Sequence, residues 1–129
     1  MATYFTSKML TVPFDEAIDR TTAALKDEGF GILTEIDIKT TLKNKLDVDF
    51  RPYRILGACH PPSAHRALQA EDHIGLMLPC NVIVQELPDG VEVAAVDPVS
   101  SMQAVDNPEL IDIADDVRAR LTRVIESLS

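Results

Sequence analysis

Two segments of the chain carry apolar residues at helical spacing, and they limit the folds that the chain can adopt. The longer stripe lies near the C-terminus and comprises Leu110, Ala114, Val117, Leu121, Val124 and Leu128. Its members lie three or four residues apart, which predicts an amphipathic helix of about 20 residues, roughly 30 Å long. Asp106 or Asn107 is suited to cap this helix, and Pro108 is suited to start it.

The second helical stripe lies near the N-terminus and follows Pro13. It comprises Phe14, Ala17, Ile18, Ala24 and Leu25. Gly29 is expected to end this helix. If Gly29 adopts a left-handed conformation, Phe30 can fold back onto Leu25, as helix-ending motifs of this kind require.

Strand-like patterns occupy residues 3–10, 31–38, 53–59, 81–87 and 91–97. Alternation in the second of these places Ile32, Thr34 and Ile36 on one face, so one side of this strand is expected to meet solvent. The third has apolar residues on both faces, as is typical of a central strand.

The connections between the strands are also readable. Ile38, Leu42 and Leu46 are spaced four apart and predict a short helix. Ser63 is suited to cap a second short helix that ends near residues 71–72. The turn at residues 88–90 (Pro-Asp-Gly) predicts a hairpin between the last two strands.

Together these elements predict an α+β domain of two layers. The expected order is strand, helix, four strands, helix, with two short helical insertions. Two amphipathic helices have to bury their apolar stripes, so both long helices are expected on one face of a mainly antiparallel sheet. The chain of 129 residues is long enough for one domain with its own core, and residues 1–129 are interpreted as a single domain.

Composition restricts the classes of function. The net charge is −9, which disfavours general binding to nucleic acid or to anionic membranes. Residues 1–5 show neither the charged region nor the apolar stretch of a targeting segment, so a cytoplasmic location is expected. In a reducing compartment, the two cysteines are expected to be free thiols.

Several motifs in the middle and second half of the chain resemble one protein family. The first is the run of residues 36–46, and the second is the run of residues 52–59, which ends in Leu-Gly-Ala-Cys. The third is the run of residues 74–84, which contains Leu-Pro-Cys-Asn-Val, and the last is Asp97-Pro98. On these motifs the chain is identified as a member of the family called domain of unknown function 302. The resemblance implies a fold similar to that of the TATA-binding protein, but it implies no activity, and a shared fold is no argument for DNA binding. His60 is a departure, because the family more often carries Asn there.

The cysteines and one histidine are the first candidates for chemistry. Cys59 and Cys80 each lie at one end of a predicted strand, and these strands could be neighbours. Two nearby thiols could form a reversible disulfide, transfer sulfur or bind a soft metal. Free cysteine is also commonly a small buried hydrophobe, and core packing is the favoured interpretation here. Cys59, His60 and Cys80 are weak metal candidates because their spacing is poor, and no metal or other cofactor is expected.

The second candidate is a group of basic residues, Lys39, Lys43, Lys45, Arg51 and Arg54. The favoured interpretation is a solvated helix face that pairs with Asp47 and Asp49. Arg54 differs because it lies within a predicted central strand, so its head must reach an edge, pair with a carboxylate such as Glu35, or line a cleft.

Two hypotheses about function remain open. Dinucleotide, phosphate-loop and nucleophile-elbow motifs do not occur in the sequence, which favours a role other than catalysis. The first hypothesis is a homodimeric binding module with a cleft between the sheet and the C-terminal helix. The cleft would hold a small molecule or peptide, and Arg54, Cys59, His60, Cys80 and Glu35 are its expected residues. The apolar stretch 74–78 is expected to form part of the cleft or of the dimer contact. The second hypothesis is a thiol-based activity of Cys59 or Cys80 in redox chemistry, sulfur transfer or soft-metal handling.

Overall fold

Five antiparallel strands form one sheet in the computed structural model, which describes residues 4–129. The strands are β1 (Phe5–Leu10), β2 (Gly31–Asp37), β3 (Tyr53–Cys59), β4 (Cys80–Leu87) and β5 (Gly90–Val96). They lie side by side in the order β1-β5-β4-β3-β2. Thr3, which the sequence places in the first strand, lies outside the described residues.

Both long helices lie on one face of this sheet, as predicted. They are α1 (Phe14–Asp27) and α5 (Glu109–Ser127). Their buried stripes pack with inward residues of the strands, such as Leu56, Val82 and Val93, in the main apolar core. The α+β class and the two-layer arrangement are therefore confirmed.

The connections contain the two predicted insertions and two further short elements. The insertions are α2 (Ile38–Leu46) and α3 (Pro61–Ala70). The further elements are a turn of 3₁₀ helix (Ile74–Met77) and α4 (Pro98–Ser101). Together with the start of α5, these elements enclose a second, smaller apolar cluster that comprises Ala67, Ile74, Met102, Leu110, Ile113 and Ala114.

Helix α1 ends as the sequence predicts. Gly29 has a φ of 86°, and the Phe30 N–H donates to the Leu25 carbonyl oxygen at 2.9 Å. The Gly29 N–H donates to the Lys26 carbonyl at 3.0 Å, which completes the hydrogen-bond pair of a glycine-terminated helix. Phe30 is thereby directed into the core, where it is 3% exposed.

The alternation predicted for β2 is wrong in its first half. Ile32 pairs with Ala58, but Thr34 pairs with Gly57, so Leu33 is an additional residue in a β-bulge. Because of this additional residue, Ile32 lies on the opposite face of the sheet from Thr34 and Ile36, although simple alternation places all three on one face. Ile32 packs against the main core, whereas Ile36 is 45% exposed beside Ile55.

The start of α3 also differs from the prediction. The N-cap is His60, and Pro61 and Pro62 are the first residues of the helix, so Ser63 lies within the first turn. A proline at the first helical position loses no intrahelical hydrogen bond, so the helix can begin at Pro61. His60 and Ser63 consequently stand one helical turn apart.

Candidate functional site

A cavity of about 290 Å³ lies where β3 ends and β4 begins, between the sheet and helices α3 and α5. The strands contribute Leu33, Ala58, Cys59 and Cys80, and helix α5 contributes Ile113 and Val117. Helix α3 and the residue that caps it contribute His60, Ser63, Ala64, Ala67 and Leu68. The remaining walls are Phe30, Leu78, Pro79 and Met102. The cleft expected between the sheet and the C-terminal helix is thus found as an apolar cavity.

His60 and Ser63 form the polar part of this cavity. The imidazole Nδ1 lies 2.7 Å from the Ser63 hydroxyl oxygen, and Ser63 is 3% exposed. The ring also packs against Phe30, with centroids 5.7 Å apart. A Cβ on Gly29 would lie 3.0 Å from His60 Cδ2, so the glycine that ends α1 also leaves room for the imidazole.

The electrostatics of His60 favour the neutral ring. Burial lowers the pKa of His60, and the Arg120 guanidinium lowers it further, while Asp116 opposes the shift. The Ser63–His60 distance is in the range of a nucleophile and its base. Among residues 4–129, however, no carboxylate forms an ion pair with the ring to orient it as a catalytic base. The arrangement is therefore suited to holding a hydrogen-bonding group.

Cys59 and Cys80 lie on neighbouring strands and both line the cavity. The register pairs Cys80 with Ala58, and adjacent residues of a strand point to opposite faces, so the two cysteines do not face each other directly. Both are free. Burial raises the pKa of the Cys59 thiol, while burial and then the charge of Cys59 raise the pKa of Cys80 to about 11. Neither thiol is activated as a thiolate, which is the nucleophilic form.

Arg54 and Glu35 lie apart from the other three predicted site residues, at the opposite end of β3 from Cys59. The Arg54 Nη1 atom is 2.9 Å from Glu35 Oε1, and Nη2 is 3.5 Å from Asp37 Oδ2. The guanidinium also lies 5.7 Å from the centre of the Phe14 ring. This is the carboxylate pairing that the sequence offered as one alternative. Neither Arg54 nor Glu35 lines the cavity.

Two of the other basic residues, Lys43 and Arg51, contact neighbouring side chains. Lys43 Nζ lies 3.0 Å from Asp47 Oδ1 and 3.5 Å from Asp49 Oδ1, as the favoured interpretation predicts. The Arg51 guanidinium lies 4.5 Å from the centre of the Phe50 ring, and its Nε donates to Gln85 at 2.9 Å. These contacts favour a solvated structural role for this group.

The apolar stretch 74–78 divides between two environments. Ile74 is fully buried in the smaller cluster, and Leu78 lines the cavity. Leu76 lies between them and is 82% exposed. Within the described part of the chain, three or more metal-ligating side chains do not come together in any group that could hold a metal ion. In residues 4–129, no helix is long and apolar enough to cross a membrane.

The sequence pointed to Cys59, His60 and Cys80 and to the stretch that contains Leu78, but it missed most of the cavity walls. Ser63 was interpreted only as a helix cap. Its spacing from His60 predicts a contact between the two side chains only if the helix is known to start at Pro61. Ile113 gave no signal, because it lies outside the stripe that was recognised on α5. Phe30 and Val117 were assigned to the core, since apolar periodicity does not distinguish a residue beside a cavity from one in filled space.

The fold and the site together define a small α+β domain with a mainly apolar cavity at one end of an antiparallel sheet. The family model described as "Domain of unknown function DUF302" matches residues 5–128. The chain therefore belongs to this family. The crystal structure of an uncharacterised conserved DUF302 protein from Bacillus stearothermophilus is similar, with a TM-score of 0.89 and 28% sequence identity. That similarity covers 97% of this chain and 98% of the other. No curated protein matches the chain.

Proposed function

We propose that the protein is a binding module for a small, neutral and mainly apolar molecule, held in the cavity between the sheet and helix α5. One observation carries the proposal. Among the described residues that line the cavity there is no Lys, Arg, Asp or Glu, and the polar side chains are confined to His60, Ser63 and the two cysteines. Small-molecule sites are typically apolar with a few polar groups that fix the orientation of the ligand.

The charge of the ligand follows from the lining. An ionised group buried without a partner costs a large desolvation free energy. His60 does not offset a carboxylate at neutral pH, because burial lowers the pKa of its ring and favours the uncharged form. The cavity is thus suited to an alcohol, ketone, ester or amide rather than to an acid or an amine.

The size of the ligand follows from the volume. The cavity of about 290 Å³ is roughly twice the ~150 Å³ apolar cavity that accepts benzene. It is near the lower end of the ~300–1,000 Å³ range of ligand sites. This supports a ligand of small-molecule size, and a peptide segment is disfavoured.

The polar pair supports a single hydrogen bond to the ligand. The Ser63 hydroxyl can donate one hydrogen bond and accept two, and its contact with His60 Nδ1 uses one of these three possibilities. A ligand hydroxyl or carbonyl near Ser63 would use another. The alternative of thiol chemistry lacks a comparable observation, because the pKa values of both cysteines are raised.

A pair of probes tests the proposal. In an NMR titration, n-octanol is expected to shift the amide signals of residues around the cavity, and octanoate at neutral pH is expected to bind at least tenfold more weakly because its charge would be buried. Ala64→Phe, which places a ring in the cavity, is expected to abolish n-octanol binding. Ala119→Phe is the matched control, because Ala119 is exposed on α5 and does not line the cavity.

The proposal is wrong if octanoate binds as tightly as n-octanol. It is also wrong if the folded Ala64→Phe protein binds n-octanol like the wild type. The homodimer expected from the sequence stays a prediction that is separate from this binding site.

A further inference from the structure

We propose that Met102 is a movable end wall of the cavity and that it sets the length of the ligand. This inference rests on the proposed function and adds a ligand class, namely unbranched alkyl chains that carry one neutral hydrogen-bonding head group. The head would lie at the His60–Ser63 end of the cavity, and the chain would extend toward Met102.

Met102 lines two cavities at once. One is the main cavity, and the other has a volume of about 260 Å³, with Val105, Leu110 and Ala114 among its apolar walls and Gln103, Asp106 and Asn107 among its polar walls. Met102 is 8% exposed and packs with Leu110, Ile113 and Ala114 in the smaller apolar cluster. It therefore stands between the two cavities.

The two cavities follow one face of helix α5. Val117 and Ile113 line the main cavity, while Ala114 and Leu110 line the second one. Ile113, Ala114 and Val117 follow Leu110 by three, four and seven residues, so all four lie toward one face, and they span ~10 Å along the axis. Displacement of the Met102 side chain would join both spaces into one elongated site.

The polar pair lies toward the other end of this face. His60 interacts electrostatically with Asp116 and Arg120, which are further along α5 than the residues that contact Met102. The main cavity thus has a polar end at His60 and Ser63 and an apolar end at Met102, arranged along the helix axis. A linear molecule with its head group at one end matches this arrangement better than a compact one.

Met102 also has more side-chain freedom than the neighbouring wall residues of α5. Its side chain is unbranched and has three rotatable bonds, whereas Ile113 and Val117 are branched and belong to a helix of 19 residues. Met102 follows the single turn of α4, and its backbone bonds are local: its N–H donates to Pro98 and its carbonyl accepts from Val105.

Chain-length selectivity tests this role. The affinity of the wild type is expected to rise about fourfold per methylene along n-hexanol, n-octanol, n-decanol and n-dodecanol, until the chain meets Met102. Met102→Ala removes three heavy atoms, so the rise is expected to continue for about three more carbons. Met9→Ala is the matched control, because Met9 is 44% exposed on β1, does not line either cavity and should leave the limit unchanged.

The wild type supplies a second measurement, because Met102→Ala removes buried volume and lowers stability. With isotope-labelled methionine methyl groups, the Met102 signal is expected to shift with n-decanol more than with n-hexanol, while the Met9 signal responds to neither. If the alcohols bind but the length limit and the Met102 signal stay unchanged, this inference is wrong and the proposed function stands. If no alcohol binds to the wild type, both are wrong.

Discussion

His60 and Ser63 stand one turn apart at the start of α3, and their side chains meet at a distance of 2.7 Å between Nδ1 and Oγ. Ser63 is almost completely buried, so this contact satisfies a hydroxyl that would otherwise lack a partner inside an apolar wall. The same contact fixes the orientation of the imidazole beside Phe30. One pair thus joins the N-cap residue to the first turn of α3 and supplies the polar end of the cavity.

The first prediction concerns the Ser63 hydroxyl. Ser63→Ala is expected to weaken n-octanol binding by about two- to thirteenfold, because a neutral hydrogen bond contributes ~0.5–1.5 kcal/mol. Ser7→Ala, on an exposed position of β1, is the control and should bind like the wild type. Calorimetric titration measures both, and unchanged affinity in Ser63→Ala would remove Ser63 from the proposed site.

The second prediction concerns His60 and pH. Burial lowers the pKa of His60 in the folded state, so the unfolded chain takes up the proton more readily. The contribution of His60 to the free energy of unfolding is therefore fully present above its pKa in the unfolded chain, which is about 6.5. It is lost as the pH falls through the lower pKa of His60 in the folded protein. Urea unfolding between about pH 7.5 and about pH 5 should show a loss of stability of up to ~1.4 kcal/mol per pH unit from this residue.

Two variants separate His60 from the other groups that titrate in this range. His60→Gln is expected to reduce the pH dependence of unfolding. His73→Gln should retain it, since the His73 side chain is 84% exposed. Equal slopes for the wild type and His60→Gln would contradict the assignment.

The third prediction separates Arg54 from the cavity. Arg54→Gln removes the guanidinium that pairs with Glu35 and Asp37. It is expected to lower the free energy of unfolding by only ~1 kcal/mol, because both carboxylates are exposed and solvent weakens their attraction to Arg54. It should leave n-octanol affinity within about twofold, because Arg54 does not line the cavity. Arg66→Gln, at an exposed position on α3, serves as a surface control. A large loss of affinity in Arg54→Gln would restore Arg54 to the binding site.

The fourth prediction concerns thiol reactivity. With the pKa of Cys80 raised to about 11, its thiolate fraction should rise about tenfold per pH unit up to that value. Alkylation of Cys80 by iodoacetamide, followed by mass spectrometry, is therefore expected to be slow at neutral pH and to accelerate steadily with pH. Fast reaction at neutral pH would favour the thiol-based alternative.

The fifth prediction concerns self-association. Leu76 is 82% exposed within the stretch that the sequence places at a cleft or a dimer contact. If this stretch forms the contact of a homodimer, Leu76→Asp should shift the mass measured by sedimentation from dimer to monomer. Leu46→Asp is the comparison, since Leu46 is 65% exposed at the end of α2. A wild-type monomer would end the dimer hypothesis.

The sequence by itself determined the two-layer arrangement, because the deciding signals are local. The stripe on α5 and the stripe on α1 each require an apolar partner, and alternating strands between them supply a sheet with a face to cover. Gly29 ends α1 for an equally local reason, since its backbone accepts a positive φ and directs Phe30 inward. Family membership was also readable, because its motifs are contiguous runs.

Only the tertiary structure decided what the cavity is. Its walls come from β2, β3, β4, α3, α5 and the loop that carries Met102, and the empty volume is what these elements leave between them when they pack. A pattern of side chains along the chain reports which face is apolar, but not whether the opposing surfaces fill the space. The bulge at Leu33, the ion pair that removes Arg54 from the site, and the contact between His60 and Ser63 all depend on such packing.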